Sequence, residues 1–198
     1  MHTLAGENWI DFCNRVHLVR KLPLSFKLFG YRYIIFINEM PLCYFAFYPD
    51  YEKSETELLC RLKPKVFIDV GSHIGYYSML VHKLGAEKII AIEPDPRAFR
   101  ILNRTVKANK LKNIITINKA AYDKPNFALK LHLAIKAGRS SIFLSNLTRI
   151  HEGSITIECI TLDEVCSTLN LNKIDFVKID VEGAELHVLR GAHNDKAV

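Results

Sequence analysis

The chain has 198 residues, 49% hydrophobic and 24% charged, which is the balance of an ordinary globular domain with a sizeable core and excludes a disordered chain as the default. Its 27 basic and 21 acidic residues leave a net charge of +6, which mildly favours anionic partners without singling out nucleic acid. No signal-peptide pattern opens the chain, and its most apolar early region, Tyr31–Tyr48, is interrupted by Arg32, Asn38, Glu39 and Pro41, so no transmembrane segment and a cytoplasmic location are expected.

Trp9 to Leu22 carries apolar residues at mixed helical spacing and reads as a helix ending before Pro23. Its basic residues, with Lys27 beyond it, read as a solvated face rather than a membrane-binding one. Tyr31–Ile37 and Leu42–Tyr48 read as two strands of a hairpin joined by Asn38-Glu39-Met40-Pro41. Ser54 to Leu62 reads as a helix, with Ser54 as N-cap and Glu57 completing a capping box. These elements make residues 1–62 an extension packed on a main domain of 63–198.

Val66–Val70 is a short apolar run with β-branched residues, the pattern of a buried parallel strand. Gly71 then turns the chain, and an amphipathic helix begins near Gly75 and closes at Gly85. The result is Asp-x-Gly-x-x-x-Gly between a strand and a helix, with helix N–H groups aimed at a crevice that favours an anionic group. Asp69, at the strand end, is an acceptor for a cationic or N–H-bearing ligand. Ile89–Ile92 is the next strand and Glu93 ends it, at the interval where a carboxylate chelates two ribose hydroxyls. A dinucleotide would call for Gly-x-Gly-x-x-Gly, and here Ser72 and His73 fill that space. S-adenosyl-L-methionine fits better: it joins a ribose and adenine to a sulfonium and an amino acid end.

Asp95 reads as the N-cap and Pro96 as the first residue of a helix to about Asn109, with Phe99, Leu102 and Val106 inward. Its basic residues, lacking interleaved aromatics, read as a solvated face and give no strong nucleic-acid signal. Ile114–Ile117 is a third strand. The order β-α-β-α-β with short loops is half of a doubly wound α/β fold, and right-handed crossovers put Asp69, Glu93 and Ala120 on one carboxyl edge. Phe127–Ile135 and Ile155–Ile160 alternate as strands around a Gly138–Ser141 loop and break the helix–strand order, so they form an antiparallel insertion. Leu162–Leu169 is a short helix, Ile174–Ile179 a fourth parallel strand, and Gly183–Gly191 the last helix.

Period-2 alternation in that fourth strand puts Phe176, Lys178 and Asp180 on one face. A lysine in a central strand needs a partner, and Asp180 or a neighbouring acid supplies it. Asp180 belongs beside the ligand's reactive end, because the fourth strand should neighbour the first. Glu182 is the alternative base. His73 is a third candidate, although a histidine in a glycine turn is more often a solvent-facing loop residue. The five cysteines form no Cys-x-x-Cys and read as small buried thiols in a reducing compartment; no metal site is expected.

The chain resembles the FkbM-type methyltransferases, S-adenosylmethionine-dependent enzymes of the Rossmann-like class I fold. The resemblance runs through Phe67–Ser78 and Ala91-Ile92-Glu93-Pro94, then Thr161–Glu164, Val177–Glu185 and Leu189–Ala192. It implies O-methylation, often of a sugar or secondary-metabolite hydroxyl, so the partner expected is a small-molecule or glycan hydroxyl acceptor. Carried over by position, Asp69, Gly71, Gly75 and Glu93 hold the cofactor, and Ser72, His73 and Pro94 beside them are counted with the cofactor site; His73 stands where the family usually has Asn or Ala, which leaves its role open. Ala120 and Asp123 fall where adenine is approached, and Asp180 and Glu182 near the reacting centre, with Lys178 on the same strand face as Asp180 as a further catalytic candidate. The class has about seven strands, so the parallel sheet is expected to be incomplete at its C-terminal side. An open edge, self-association and impaired transfer follow as expectations. The rival readings are a catalytically impaired cofactor-binding fragment and an RNA methyltransferase.

Overall fold

The computed structural model describes residues 23–43, 51–134, 140–142 and 151–193. A four-stranded parallel sheet carries the molecule. Its strands are β3 (Val66–Val70), β4 (Lys88–Ile92), β5 (Ile114–Ile117) and β9 (Phe176–Ile179), in the spatial order β5-β4-β3-β9. Apart from Lys88 at the start of β4, Asp69 in β3 and Lys178 in β9, the strands β3, β4 and β9 are apolar on both faces inside the sheet, because helices cover both. On one face α2 (Tyr76–Lys83) and α3 (Pro96–Ala108) bury Met79, Ile101 and Leu102 against Phe67, Ile89 and Ala91. On the other, α4 (Leu162–Thr168) and α5 (Glu185–Arg190) bury Leu162, Val165 and Val188 against Ile68, Val70, Ile90 and Ile92. Odd and even positions of β3 and β4 thus feed two separate cores, as strand alternation requires. No strand lies beyond β9 among the described residues.

Two further sheets flank this one. The insertion pairs β7 (Ala128–Ala134) with β8 (His151–Ile160) antiparallel, and β8 also pairs in parallel with the short β6 (Ala120–Ala121). The N-terminal pair is β1 (Pro23–Leu28) with β2 (Tyr31–Phe36), antiparallel. Here the structure corrects the sequence: Tyr31 opens a strand, but its partner precedes it. Phe29 and Gly30 both have positive φ (53° and 91°), so they make a two-residue turn whose twist suits a hairpin. The expected return strand Leu42–Tyr48 fails at its start, because Ile37–Leu42 coils into a 3-10 turn. That turn brings Glu39 back to accept the Phe36 N–H at 2.8 Å, which ends the strand. Residues 44–50, and the whole Trp9–Leu22 helix, lie outside the described residues.

The next helix, α1 (Lys53–Leu62), begins one residue before its expected cap. Ser54 lies inside the first turn, and Glu52 holds the N-cap position in a left-handed conformation with no side-chain cap bond. Its carboxylate is committed elsewhere, to the Tyr77 hydroxyl. Cys43, Cys159 and Cys166 are buried as expected of inert thiols, but Cys60 on α1 is exposed, since it falls on the outer side of that amphipathic helix. No helix among the described residues is long and apolar enough to cross a membrane.

Candidate functional site

The carboxyl ends of β3, β4 and β9 open on one crevice of about 300 Å³. Gly71 and His73 come to it from the turn after β3, Glu93, Pro94 and Asp95 from the end of β4, and Asp180, Val181 and Glu182 from the end of β9. Among the described residues five lining side chains are carboxylic acids (Glu52, Glu93, Asp95, Asp180, Glu182) and none is a lysine or arginine, so this lining favours a cationic ligand within a chain of positive net charge.

The turn after β3 is fixed by its neighbours. The N–H groups of Gly71 and Ser72 both donate to the Ile92 carbonyl, at 2.9 and 3.0 Å. Gly71 has φ 74°, and a Cβ there would lie 1.9 Å from the Asp180 carbonyl oxygen. The close approach that demands glycine is therefore made by the protein's own β9 tip, while the other side of Gly71 faces the crevice. Gly75, at φ 89°, caps the start of α2 and packs against Leu102. Ser72 is buried but is not part of the crevice wall.

Asp69 also lies behind that wall. It is fully buried, and its Oδ2 accepts from the Ser78 N–H (3.1 Å) and hydroxyl (2.6 Å) in α2. Its Oδ1 has no hydrogen-bond partner among the described residues and stands 4.0 Å from Lys178 Nζ. Alternation explains the placement: Asp69 shares the face of Phe67, whereas Val70 reaches the crevice.

Glu93 is held from behind. The His73 N–H donates to its Oε2 at 2.7 Å and the Asp95 N–H to its Oε1 at 2.8 Å. The two amides leave two of the carboxyl's roughly four positions for a ligand's hydroxyls, both acceptors when the group is ionised and one of them an O–H donor when it is protonated. Burial, with the nearby Asp95 charge, pushes the Glu93 pKa up to about 8. His73 lines the crevice rather than facing solvent, and burial pushes its ring pKa down to about 4.

At the β9 tip Lys178 finds the partners its position requires. Its Nζ lies 3.2 Å from Asp180 Oδ2 and 3.5 Å from the Gly71 carbonyl, and stacks 5.1 Å above the Tyr77 ring. Burial opposes its charge, but Asp69 and Asp180 outweigh that and raise its pKa. Asp180 reaches the crevice and stays half exposed, whereas Lys178 is behind it.

Ala120, Ala121 and Tyr122 form the wall beyond Glu93, and Leu129, Leu131 and Ile142 of the insertion line the crevice with them, β6 and β7 being strands of one sheet on either side of β8. Asp123 is not in the wall; its Oδ2 meets His187 Nδ1 at 2.7 Å, and the His187 ring stacks on Tyr122 at 4.3 Å. The sequence reading missed two contributors. Ser140 and Ser141 come from the insertion: Ser140 donates to Asp95 Oδ2 (2.9 Å) and Ser141 to the Glu182 carbonyl (2.9 Å), so the insertion bridges two strand tips. Tyr51 and Glu52 come from the turn before α1. Nothing in the local sequence marks either segment, because both reach the crevice only through long-range packing.

The profile described as "Methyltransferase FkbM domain" matches residues 69–198. Hexuronic acid methyltransferase AglP of Haloferax volcanii is 29% identical over 129 residues, 65% of this chain and 50% of that protein. Methyltransferase 1 of Beauveria bassiana is 22% identical over 147 residues, 65% of this chain and 58% of that one. Ribosomal protein L11 methyltransferase of Alkaliphilus oremlandii is 34% identical over 70 residues, 32% of this chain and 22% of that protein. The chain thus spans 22% to 58% of these relatives' lengths. Among solved structures, M. jannaschii TYW2 in complex with AdoMet matches 48% of this chain and 42% of that one, at 22% identity and a TM-score of 0.38.

Proposed function

Because the chain belongs to the FkbM methyltransferase family, whose cofactor is S-adenosyl-L-methionine, we propose that it transfers a methyl group to the hydroxyl of a sugar or secondary metabolite. The residues present fit that cofactor. Glu93 offers the two carboxyl positions that the His73 and Asp95 amides leave open to the ribose hydroxyls, the Ala120–Tyr122 wall and Leu129, Leu131 and Ile142 offer apolar surface for adenine, and the acid lining suits a sulfonium. When bound, the cofactor supplies an electrophilic methyl group on sulfur.

The chain's own residues then have three tasks. Glu93, with the Pro94 backbone beside it, fixes the ribose and so the register of everything beyond it. Asp180, across the β3 turn from Glu93, accepts the proton as the acceptor oxygen loses it, and Lys178 orients that carboxylate through the 3.2 Å ion pair. Tyr51 and the Ser140–Ile142 segment limit water at the crevice mouth. Glu182 is the second candidate for the proton. A His73 ring with its pKa near 4 is too weak a base for that task.

The observation that carries this reading is Asp180 and Glu93 opening on one acid-lined crevice from strand tips on either side of the β3 turn. The acidic lining weighs against an RNA acceptor, whose phosphates it would repel. The Haloferax relative, a hexuronic acid methyltransferase, favours a uronic acid or similar sugar. Asp180→Asn should lower kcat about 10²- to 10⁴-fold on an accepted hydroxyl substrate while the cofactor Kd stays within twofold. Unchanged turnover would move the base to Glu182, and lost cofactor binding would move Asp180 to the cofactor site. Tight cofactor binding by the wild type, with no transfer to any sugar, metabolite or RNA, would instead favour a binding module.

A further inference from the structure

The reaction above leaves two crevice acids unused, Asp95 and Glu52; Asp95 is already paired with Arg97 at 2.8 Å and accepts from Ser140, whereas Glu52 has no cationic partner within ion-pair distance among the described residues. It stands between Tyr51 and α1 with φ 43° and ψ 50°, a left-handed backbone that is unfavourable for a non-glycine residue and persists only where neighbours enforce it. The neighbours are visible. The Tyr77 hydroxyl donates to Glu52 Oε2, the Tyr76 hydroxyl donates to the Tyr51 carbonyl at 3.4 Å, and the Tyr51 and Tyr76 rings meet edge to face at 5.1 Å. These contacts hold a carboxylate in the crevice wall at a backbone position the chain would not choose by itself.

The direction of the crevice says what that carboxylate faces. Adjacent strands are about 4.8 Å apart, so the β4 tip, the β3 turn and the β9 tip form a row. With the ribose on Glu93 and the base toward Ala120–Tyr122, the 5′ side of the nucleoside runs toward β3 and β9. Glu52 lies at that end: it is bonded to Tyr77, whose ring carries Lys178 of β9. From these placements, and resting on the cofactor reading above, we infer that Glu52 binds the ammonium group of the cofactor's methionine end. Glu93 and Glu52 then grip the two ends of one ligand, the first by its diol and the second by its cation.

Calorimetry with two cofactor fragments tests this without turnover. S-adenosylhomocysteine carries the ammonium; 5′-methylthioadenosine keeps the nucleoside and lacks the whole amino acid end. Glu52→Gln keeps an acceptor for Tyr77 and removes the charge. It should weaken S-adenosylhomocysteine tenfold or more and leave 5′-methylthioadenosine within twofold, and Glu52→Asp should recover part of the loss. Glu93→Ala, in contrast, should weaken both. Unchanged S-adenosylhomocysteine affinity in Glu52→Gln, or an equal loss for both ligands, overturns the role given to Glu52 and leaves the cofactor site standing. A wild-type chain that binds neither ligand overturns the cofactor reading and this inference with it.

Discussion

Glu93 ends β4 almost fully buried, and burial lifts its carboxyl from an ordinary value of 4.5 to about 8. Between those two values the folded chain keeps a proton that the unfolded chain has released. Folding stability from this group is therefore present at low pH and falls as pH rises from about 4.5 to 8. Replacing Glu93 with Gln removes that dependence. Glu93→Gln should gain stability relative to wild type as pH rises from 5 to 8.5, by an amount on the order of a few kcal/mol, read from urea midpoints at each pH. Parallel pH profiles for the two proteins would mean that Glu93 is ionised throughout. The candidate role of Glu93 was legible from one residue at the right interval after a glycine turn. The buried setting was not, because it depends on the His73 and Asp95 amides folding in behind the carboxylate.

At the scale of elements, the turn between β3 and α2 shows how a motif and its reason can separate. The spacing Asp69-x-Gly71-x-x-x-Gly75 is visible in the chain, and it does mark a strand–turn–helix. Its tightest contact is with Asp180, over a hundred residues later. Gly71→Ala should therefore cost roughly 2–4 kcal/mol even without ligand, since the new Cβ would force β9 away from β3 and sit at a left-handed φ. Denaturant unfolding of the full chain checks this, and a loss under about 0.5 kcal/mol would show that the two tips separate easily. The helix α3 followed local rules closely: Asp95 caps it by accepting from the Arg97 N–H at 2.9 Å, and Pro96 opens it. The N-terminal hairpin did not. Phe29-Gly30 lacks the usual Asn-Gly signature, and Pro41 drew the turn to the wrong place.

At the scale of the whole molecule, the hairpin is tied to the sheet's helical layer by polar contacts that the sequence hides within a basic helix face. Arg104 donates to the Ile34 carbonyl (2.9 Å) and pairs with Glu39 (3.0 Å), and Asn109 brackets the Arg32 backbone. Arg104→Ala leaves Glu39 buried without its cation and should cost about 1–3 kcal/mol. Hydrogen exchange should then speed up in Tyr31–Phe36 before it does in β4; uniform acceleration would mean that the two parts unfold as one. The strand and helix order of the parallel sheet from β3 to β9, the two-sided burial of β3 and β4, and the candidacy of Glu93 and Asp180 were legible in the sequence alone, because apolar period and turn chemistry act within a few residues. Tertiary structure decided that Asp69 stands behind the wall, that Lys178 lies between two carboxylates, and that Glu52 and Ser140 reach the crevice. Those facts depend on which distant segments pack together, and neither spacing nor propensity carries that information.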